Sequence, residues 1–370
     1  MPGAGRPATQ MISLSTKAAA RDAWVGAWLI AIALCVFAMV MVGGATRLTD
    51  SGLSITEWNI EKEFVPPLTH GAWEREFSLY QQTTEYQVQN RGMSLGEFQR
   101  IFWWEWAHRF IGKMIGFVFA LPFVFFWATG RLRGRFWPVL GLFALGAAQG
   151  AIGWWMVVSG LFGRLDVSPV RLAIHLGMAF TILACALWLA LDAFGWPRQR
   201  SKLGAPLWAP LALMGLIFVQ VMFGALLAGA RGGAAYPDWP MIGHEWIPTS
   251  AFSLEPILRN FIDNHATQHL MHRTTGYLVT LSALAVATLA WMRGTGAAKG
   301  AAIAVGVAAS AQAALGIATI LLLDPLALAL AHQAGAAMLW ASSAVLARCV
   351  YGNIQPQTQA TVITKENAIA

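Results

Sequence analysis

Charged residues are scarce in this sequence. Only 12% of its 370 residues are Asp, Glu, Lys or Arg, whereas a soluble domain usually contains about a quarter. Hydrophobic residues make up 57% of the chain. This composition excludes an ordinary water-soluble domain and indicates an integral membrane protein.

Cysteine is scarce as well. The three cysteines, Cys35, Cys185 and Cys349, all lie inside apolar segments, and no CxxC pair is present. The sequence therefore offers neither a disulfide framework nor a cysteine metal site. The net charge is +7. The basic residues lie in short connections between apolar segments, so we expect them to set the orientation of the chain in the membrane. We expect no nucleic-acid partner.

Eight apolar segments are long enough to cross a bilayer, which takes about 20 residues. They lie near 24–45, 101–128, 136–158, 169–193, 206–229, 266–292, 297–323 and 325–349. The sequence thus predicts an all-α integral membrane protein with eight transmembrane helices and the lipid bilayer as its surroundings.

Basic residues predict the orientation of these spans. With eight spans, the basic connections fall on one side: Arg131, Arg133, Arg135, Arg198, Arg200, Lys202, Arg293, Lys299 and Arg348. The positive-inside rule makes that side the cytoplasm, and the first 23 residues are too polar for a secretory signal. We expect cytoplasmic tails at 1–23 and 350–370, and two long outer loops at 46–100 and 230–265. A helix is possible within 74–90.

The two halves of the sequence resemble each other. Four matches occur in the same order: Val40-Met41-Val42-Gly43 with Val221-Met222-Phe223-Gly224, His108-Arg109 and Gly112 with His272-Arg273 and Gly276, Ala148-Gln149-Gly150-Ala151-Ile152-Gly153 with Ala311-Gln312-Ala313-Ala314-Leu315-Gly316, and His175 with His332. The repeat predicts two pseudo-symmetric four-helix bundles, 24–193 and 206–349.

Four histidines fall at one depth of these predicted helices. Ser168-Pro169 and Asp324-Pro325 are typical helix starts, and at 1.5 Å per residue His108, His175, His272 and His332 all lie about 10 Å inside the outer helix ends. A lone intramembrane histidine can be a hydrogen-bonded packing residue, but such residues are usually functional. Two facing histidines in a bundle suit heme iron. The sequence predicts two heme sites, His108 with His175 and His272 with His332.

An arginine follows one histidine of each pair. Arg109 and Arg273 are candidate partners of heme propionates, because guanidinium groups clamp carboxylates. Arg47, Arg171 and Arg231 are predicted near the same surface. For each of the five arginines, placement of the charged group at the membrane interface is the alternative to propionate binding.

The two halves differ at the position three residues before His108 and His272. The first half has Glu105 and the second has His269. A carboxylate at the membrane edge is energetically unfavourable and is therefore usually functional. Glu105 is thus a candidate catalytic residue. The alternative is that Glu105 supports a histidine or an arginine through a hydrogen bond. His70, His244, His265 and His269 are expected to be solvated loop residues or propionate neighbours.

Several of these motifs resemble those of one family, the heme A synthases of the alphaproteobacterial and mitochondrial type. The resemblance runs from about 24 to 349 and is carried by Trp104-Glu105-Trp106-Ala107-His108-Arg109, Met271-His272-Arg273, Thr46-Arg47-Leu48-Thr49 with Ser51-Gly52-Leu53-Ser54 and Glu57-Trp58, and Asp238-Trp239-Pro240-Met241.

The resemblance implies oxidation of the C8 methyl of heme O to the formyl group of heme A. It implies that His108 and His175 hold the substrate heme, that Glu105 assists catalysis, and that His272 and His332 hold a heme b. It also implies a location in the bacterial inner membrane. The implied partners are heme O synthase, the cytochrome oxidase assembly machinery and an electron-transfer protein of unknown identity. A homo-oligomer is an open alternative.

Two rival functions share some of these features. A diheme cytochrome b would also use paired histidines, but it would usually stack its hemes across the membrane rather than at one depth. A transporter would place polar residues or broken helices at the midplane, where this sequence has mostly Gly, Ala, Leu and Phe. Bis-histidine ligation leaves no open position on iron, so oxygen activation at iron and oxidation of the porphyrin edge both stay open.

Overall fold

The computed structural model describes residues 22–58, 64–196, 208–294 and 296–350, and within these ranges it contains no β-strand. The helices there are α1 (Ala23–Leu48), α2 (His70–Tyr80), α3 (Thr84–Val88), α4 (Leu95–Ala128), α5 (Phe136–Val158), α6 (Pro169–Ala193), α7 (Trp208–Gly229), α8 (Asn260–Asp263), α9 (His265–Arg293), α10 (Ala297–Leu321) and α11 (Leu326–Val350). A single 3-10 turn, Ile257–Arg259, precedes α8.

Seven of these helices, α1, α4, α5, α6, α7, α9 and α10, are long and apolar enough to cross a membrane. The prediction of an all-helical membrane protein is therefore confirmed. The predicted eighth span corresponds to α11, which has 25 residues but is not among the seven. Its polar residues, such as His332, Gln333 and Ser343, lower its mean hydropathy, so the eighth span stays a prediction.

Helix boundaries agree best where the apolar segments end sharply. The predicted spans at 136–158 and 169–193 coincide with α5 and α6. Helix α4 instead begins at Leu95 rather than near 101, because Ser94 and Glu97 form a reciprocal capping box ahead of the apolar segment. The first outer loop is correspondingly shorter than 46–100. The single helix considered for 74–90 is two helices, α2 and α3.

The two predicted helix starts differ in detail from expectation. Helix α6 does begin at Pro169, but the side chain of Ser168 makes no capping hydrogen bond. Helix α11 begins at Leu326 rather than at Pro325. Leu323 and Asp324 before it both have positive φ angles, 63° and 58°, and this left-handed pair reverses the chain between α10 and α11.

Four helices, α1, α6, α7 and α11, form the centre of the molecule, and α4, α5, α9 and α10 pack outside them. The halves meet through the central helices, where the Trp340 indole donates to the Phe180 carbonyl at 2.6 Å. The outer helices expose large apolar side chains such as Leu121 and Trp137. An apolar surface of this kind indicates contact with lipid.

Basic residues of the predicted cytoplasmic side meet two aspartates. Arg131 pairs with Asp22 at 3.4 Å, while Arg348 pairs with Asp192 and Arg135 donates to the Asp192 carbonyl at 3.2 Å. Arg198, Arg200 and Lys202, and most of both predicted tails, lie outside the described residues. The orientation of the chain stays a prediction.

The first outer loop folds onto the start of α4 around an aromatic cluster. Tyr80, Phe98 and Phe102 are buried there together with Ile55, and the rings of Tyr80 and Phe98 stack at 5.3 Å. This packing gives α2 and α3 fixed positions above the membrane-spanning part of α4.

A buried carboxyl group, Glu85, lies in this outer cluster. It accepts a hydrogen bond from the Tyr80 hydroxyl at 3.1 Å, and the Asn90 amide donates to the same hydroxyl at 2.7 Å. Burial raises the pKa of Glu85 to about 8. The hydrogen bond from Tyr80 lowers this pKa in part, while the negative charges of Asp50, Glu105 and Asp166 raise it further.

This raised pKa predicts a stability that falls as pH rises. Between the ordinary carboxyl pKa of 4.5 and about 8, the unfolded chain loses its proton while the folded chain keeps it, so folding becomes less favourable. Glu85→Gln should flatten the decrease of the thermal unfolding temperature between pH 5 and pH 8, measured in detergent. The exposed Glu74→Gln variant is the control, and an unchanged pH slope in Glu85→Gln would contradict the prediction.

Candidate functional site

The four predicted ligand histidines lie on four different helices, and each packs against a glycine of a neighbouring helix. The contacts join His108 of α4 to Gly43 of α1, His175 of α6 to Gly153 of α5, His272 of α9 to Gly224 of α7, and His332 of α11 to Gly316 of α10. A Cβ atom added at these glycines would lie only 3.1, 3.0, 2.9 and 2.8 Å from the imidazole. Each glycine is the last residue of a repeated motif, so the sequence repeat is matched by repeated contacts.

The second pair of histidines is close enough to share one metal. The ring centroids of His272 and His332 are 6.3 Å apart, with an angle of 81° between the rings. Two imidazole nitrogens that lie about 2 Å from a common metal place their ring centroids roughly 6 Å apart. The geometry therefore suits two axial ligands on one iron.

The imidazoles of the first pair are carried by α4 and α6, which both pack against α1. His108 and His175 are half-buried, and so are His272 and His332.

A glutamine contacts three of the four imidazoles. Gln149 lies 3.3 Å from Nε2 of His175, Gln312 lies 3.4 Å from Nε2 of His332, and Gln220 lies 3.1 Å from Nδ1 of His272. These glutamines were not predicted as site residues from the sequence, although Gln149 and Gln312 stand at the same place in a repeated motif.

In each half, one buried imidazole nitrogen of a ligand histidine has no hydrogen-bond partner. Nδ1 of His175 and Nδ1 of His332 are buried without a hydrogen-bond partner. Buried polar atoms are nearly always paired, so two repeat-related orphans are what ligands awaiting a metal would leave. A pair of neutral imidazoles supplies the two axial positions of a heme iron, and the residues present fit that group.

Glu105 is buried in a network that fixes the first outer loop. Its carboxylate accepts from Arg109 at 2.6 Å and from the Ser54 hydroxyl and the Ile55 amide at 2.8 and 2.9 Å. Arg109 also donates to the Ile55 carbonyl at 2.9 Å and lies over the ring of Trp58. The guanidinium expected to meet a propionate is thus engaged with Glu105 and the loop.

Arg273 anchors the second outer loop in the same way. It donates to the carbonyls of Tyr236, Asp238 and Met241 at 2.6–2.7 Å and contacts Nδ1 of His269 at 3.1 Å. His269 is fully buried, so its interpretation as a solvated loop residue is wrong. Glu105 and His269, at matching positions of the repeat, each support the arginine four residues later.

The remaining arginines predicted at the outer surface are also engaged. Arg231 pairs with Asp166 at 2.6 Å and with Asp50 at 2.8 Å, and Arg47 lies 3.5 Å from both aspartates. This cluster ties together the connections that follow α1, α5 and α7. Arg171 binds the Trp155 carbonyl at 2.6 Å and lies over its ring.

Comparison with known proteins gives consistent matches over most of the chain. Residues 26–344 match the COX15-CtaA family, described as cytochrome oxidase assembly protein. A heme A synthase of Maricaulis maris is 48% identical over 88% of this chain and 94% of its own length. Heme A synthases of Parvibaculum lavamentivorans and Paracoccus denitrificans are 46% and 45% identical, over 84% and 85% of this chain and 89% and 84% of their own lengths.

The glycine contacts predict a specific effect on heme content. Gly224→Ala would push a methyl group into His272, and overpacking of this kind costs about 1–3 kcal/mol. We expect Gly224→Ala to lower the heme retained per purified chain, measured as the pyridine hemochrome. Gly215→Ala on the same helix is the matched control, because nothing lies within 4 Å of that position. Equal heme content in the two variants would contradict the prediction.

Proposed function

This chain belongs to the COX15-CtaA family of cytochrome oxidase assembly proteins, and we propose from this premise that it is a heme A synthase. The reaction converts the C8 methyl of heme O to a formyl group, through successive hydroxylation and loss of water. The observation that carries the proposal is the set of four glycine-packed histidines at repeat-related positions, in a chain whose relatives of up to 48% identity are heme A synthases.

The two histidine pairs are proposed to have different tasks. His108 and His175 would hold the substrate heme, and His272 and His332 would hold a heme b. When bound, heme b supplies one-electron redox chemistry beside the first site. The residues of this chain would supply the imidazole nitrogens that hold each heme, and the packed helices would orient those imidazoles.

Glu105 is proposed to act as the acid–base group of the first site. It lies three residues before His108 and therefore on the same face of α4. Three donors hold its carboxylate in place: Arg109, Ser54 and the Ile55 amide. The second half has no carboxyl group at the matching position, as expected if only the first site performs the reaction.

Arg109 and Arg273 are proposed to bind heme propionates by giving up part of their present contacts. Each guanidinium follows a ligand histidine directly in sequence and now holds backbone carbonyls of an outer loop. Binding of a propionate at either arginine would therefore be coupled to the position of that loop.

The proposed architecture has eight spans in two bundles, 24–193 and 206–349, with both termini in the cytoplasm of a bacterium and the chain in its inner membrane. Helix α11 is included because it carries His332, has 25 residues and packs against α1, α6, α7 and α10. Heme O synthase and the cytochrome oxidase assembly machinery are the proposed partners, with an electron carrier of unknown identity.

Extraction of the bound pigment separates this function from a diheme cytochrome b. The protein is purified from cells that also express a heme O synthase, and its hemes are extracted and resolved by chromatography. We expect heme O or heme A together with heme B. Heme B alone would support the cytochrome and contradict the synthase.

A second measurement tests the role of Glu105. Glu105→Gln keeps the size of the side chain and should leave heme bound while heme O accumulates unconverted. Ser54→Ala is the matched control, because it removes one hydrogen bond to the same carboxylate and loop but keeps the charge. Heme A formation by Glu105→Gln, or an equal loss in Ser54→Ala, would contradict an acid–base role.

A further inference from the structure

We infer that His108 is the displaceable axial ligand of the first site, because apolar residues replace the hydrogen-bonding partners that hold its counterpart, His272. This inference rests on the proposed function and deepens it. It concerns how a site with two histidines can present an open coordination position.

A polar chain holds His272. The Gln220 amide lies 3.1 Å from Nδ1 of the imidazole and its other end contacts the Thr275 hydroxyl. The amide nitrogen faces Nδ1 of His272, and the amide oxygen accepts from the Thr275 hydroxyl. The same hydroxyl also contacts the Met271 carbonyl at 2.7 Å. The side chain that touches the imidazole of His272 is therefore itself held at its other end.

The first half has an apolar residue at the place of Gln220. Met39 stands four residues before Gly43, as Gln220 stands four residues before Gly224. The two side chains also occupy equivalent space. The Met39 methyl lies 3.2 Å from a Cβ position at Gly112, and the Gln220 amide nitrogen lies 3.2 Å from a Cβ position at Gly276.

The place of Thr275 is apolar too. Ile111 follows His108 by three residues, as Thr275 follows His272. Neither Met39 nor Ile111 offers an amide or hydroxyl group to the imidazole of His108. In the part of the chain that the structure describes, His108 has no hydrogen-bond partner, whereas glutamines contact the other three ligand histidines.

This difference determines which imidazole leaves most easily. A hydrogen bond to the distal nitrogen of a ligand histidine fixes its ring and raises its basicity, and loss of such a partner typically weakens metal binding by about 10–100-fold. His108 lacks that support, while His175 keeps its contact with Gln149. Detachment of His108 would open one coordination position and leave the heme held from the other face.

Exchange of the two environments tests the inference. Met39→Gln combined with Ile111→Thr transfers the polar chain to the first site, and Gln220→Met combined with Thr275→Ile removes it from the second. Each protein is loaded with heme B to two equivalents and reduced, and binding of carbon monoxide is measured by difference spectroscopy. Carbon monoxide needs an open axial position, so it reports ligand detachment without any turnover.

We expect one of the two hemes of the natural chain to bind carbon monoxide. The Met39→Gln/Ile111→Thr variant should lose that binding by about 10-fold or more, and Met39→Leu, which keeps the site apolar, should retain it. The Gln220→Met/Thr275→Ile variant should gain binding at the second heme while its ferric spectrum stays low-spin.

Each other result counts against the inference. Equal carbon monoxide binding in the natural chain and in Met39→Gln/Ile111→Thr, with both hemes present, would overturn it and leave the proposed function standing. Where that variant does not retain heme, the absence of a gain in Gln220→Met/Thr275→Ile would overturn it. Failure of the natural chain to bind a second heme would overturn the two-site proposal on which the inference rests.

Discussion

Contact between imidazole and glycine is the constraint on which the site depends. Each of the four histidines is packed on the backbone of a neighbouring helix, at a point where a single added carbon would lie 2.8–3.1 Å from the ring. Ordinary contacts between carbon atoms are about 3.5–4.0 Å. An added carbon would therefore displace the imidazole or the helix at Gly224 and Gly316, and would crowd the ring at Gly43 and Gly153. The contact fixes both the helix spacing and the direction of the ring, which a metal site with two axial ligands requires.

The two halves use the same scaffold but differ in the groups around the first histidine of each pair. Glu105 with Arg109 and His269 with Arg273 both anchor an outer loop. The first pair is an ion pair, and in the second the Arg273 guanidinium binds backbone carbonyls and the imidazole of His269. The imidazole of His272 is held by a chain of polar side chains, whereas the equivalent positions near His108 are the apolar Met39 and Ile111. The repeated fold thus contains two different sites. In the second site, hydrogen-bonding side chains hold His272, whereas the first site has the carboxyl group of Glu105 nearby and a His108 imidazole without such partners.

Much of this organisation could be predicted from sequence, because apolar length and turn residues act locally. The ends of α5 and α6 were predicted in this way, and the histidines and their glycines were found through the repeat. The start of α4 was missed because its capping box lies in a polar segment. The partners of Arg109 and Arg273 were missed because outer loops distant in sequence supply them. Gln220 was missed because its repeat counterpart, Met39, is apolar, so the repeat did not mark this position as a polar neighbour of a histidine.

The central claim is that the histidines act in pairs across a porphyrin. The most direct measurement is an electron cryomicroscopy map of the chain purified with its bound heme. The account predicts porphyrin density between His272 and His332, with a second site between His108 and His175. Density at any other place, or imidazoles that point away from the porphyrin, would contradict it.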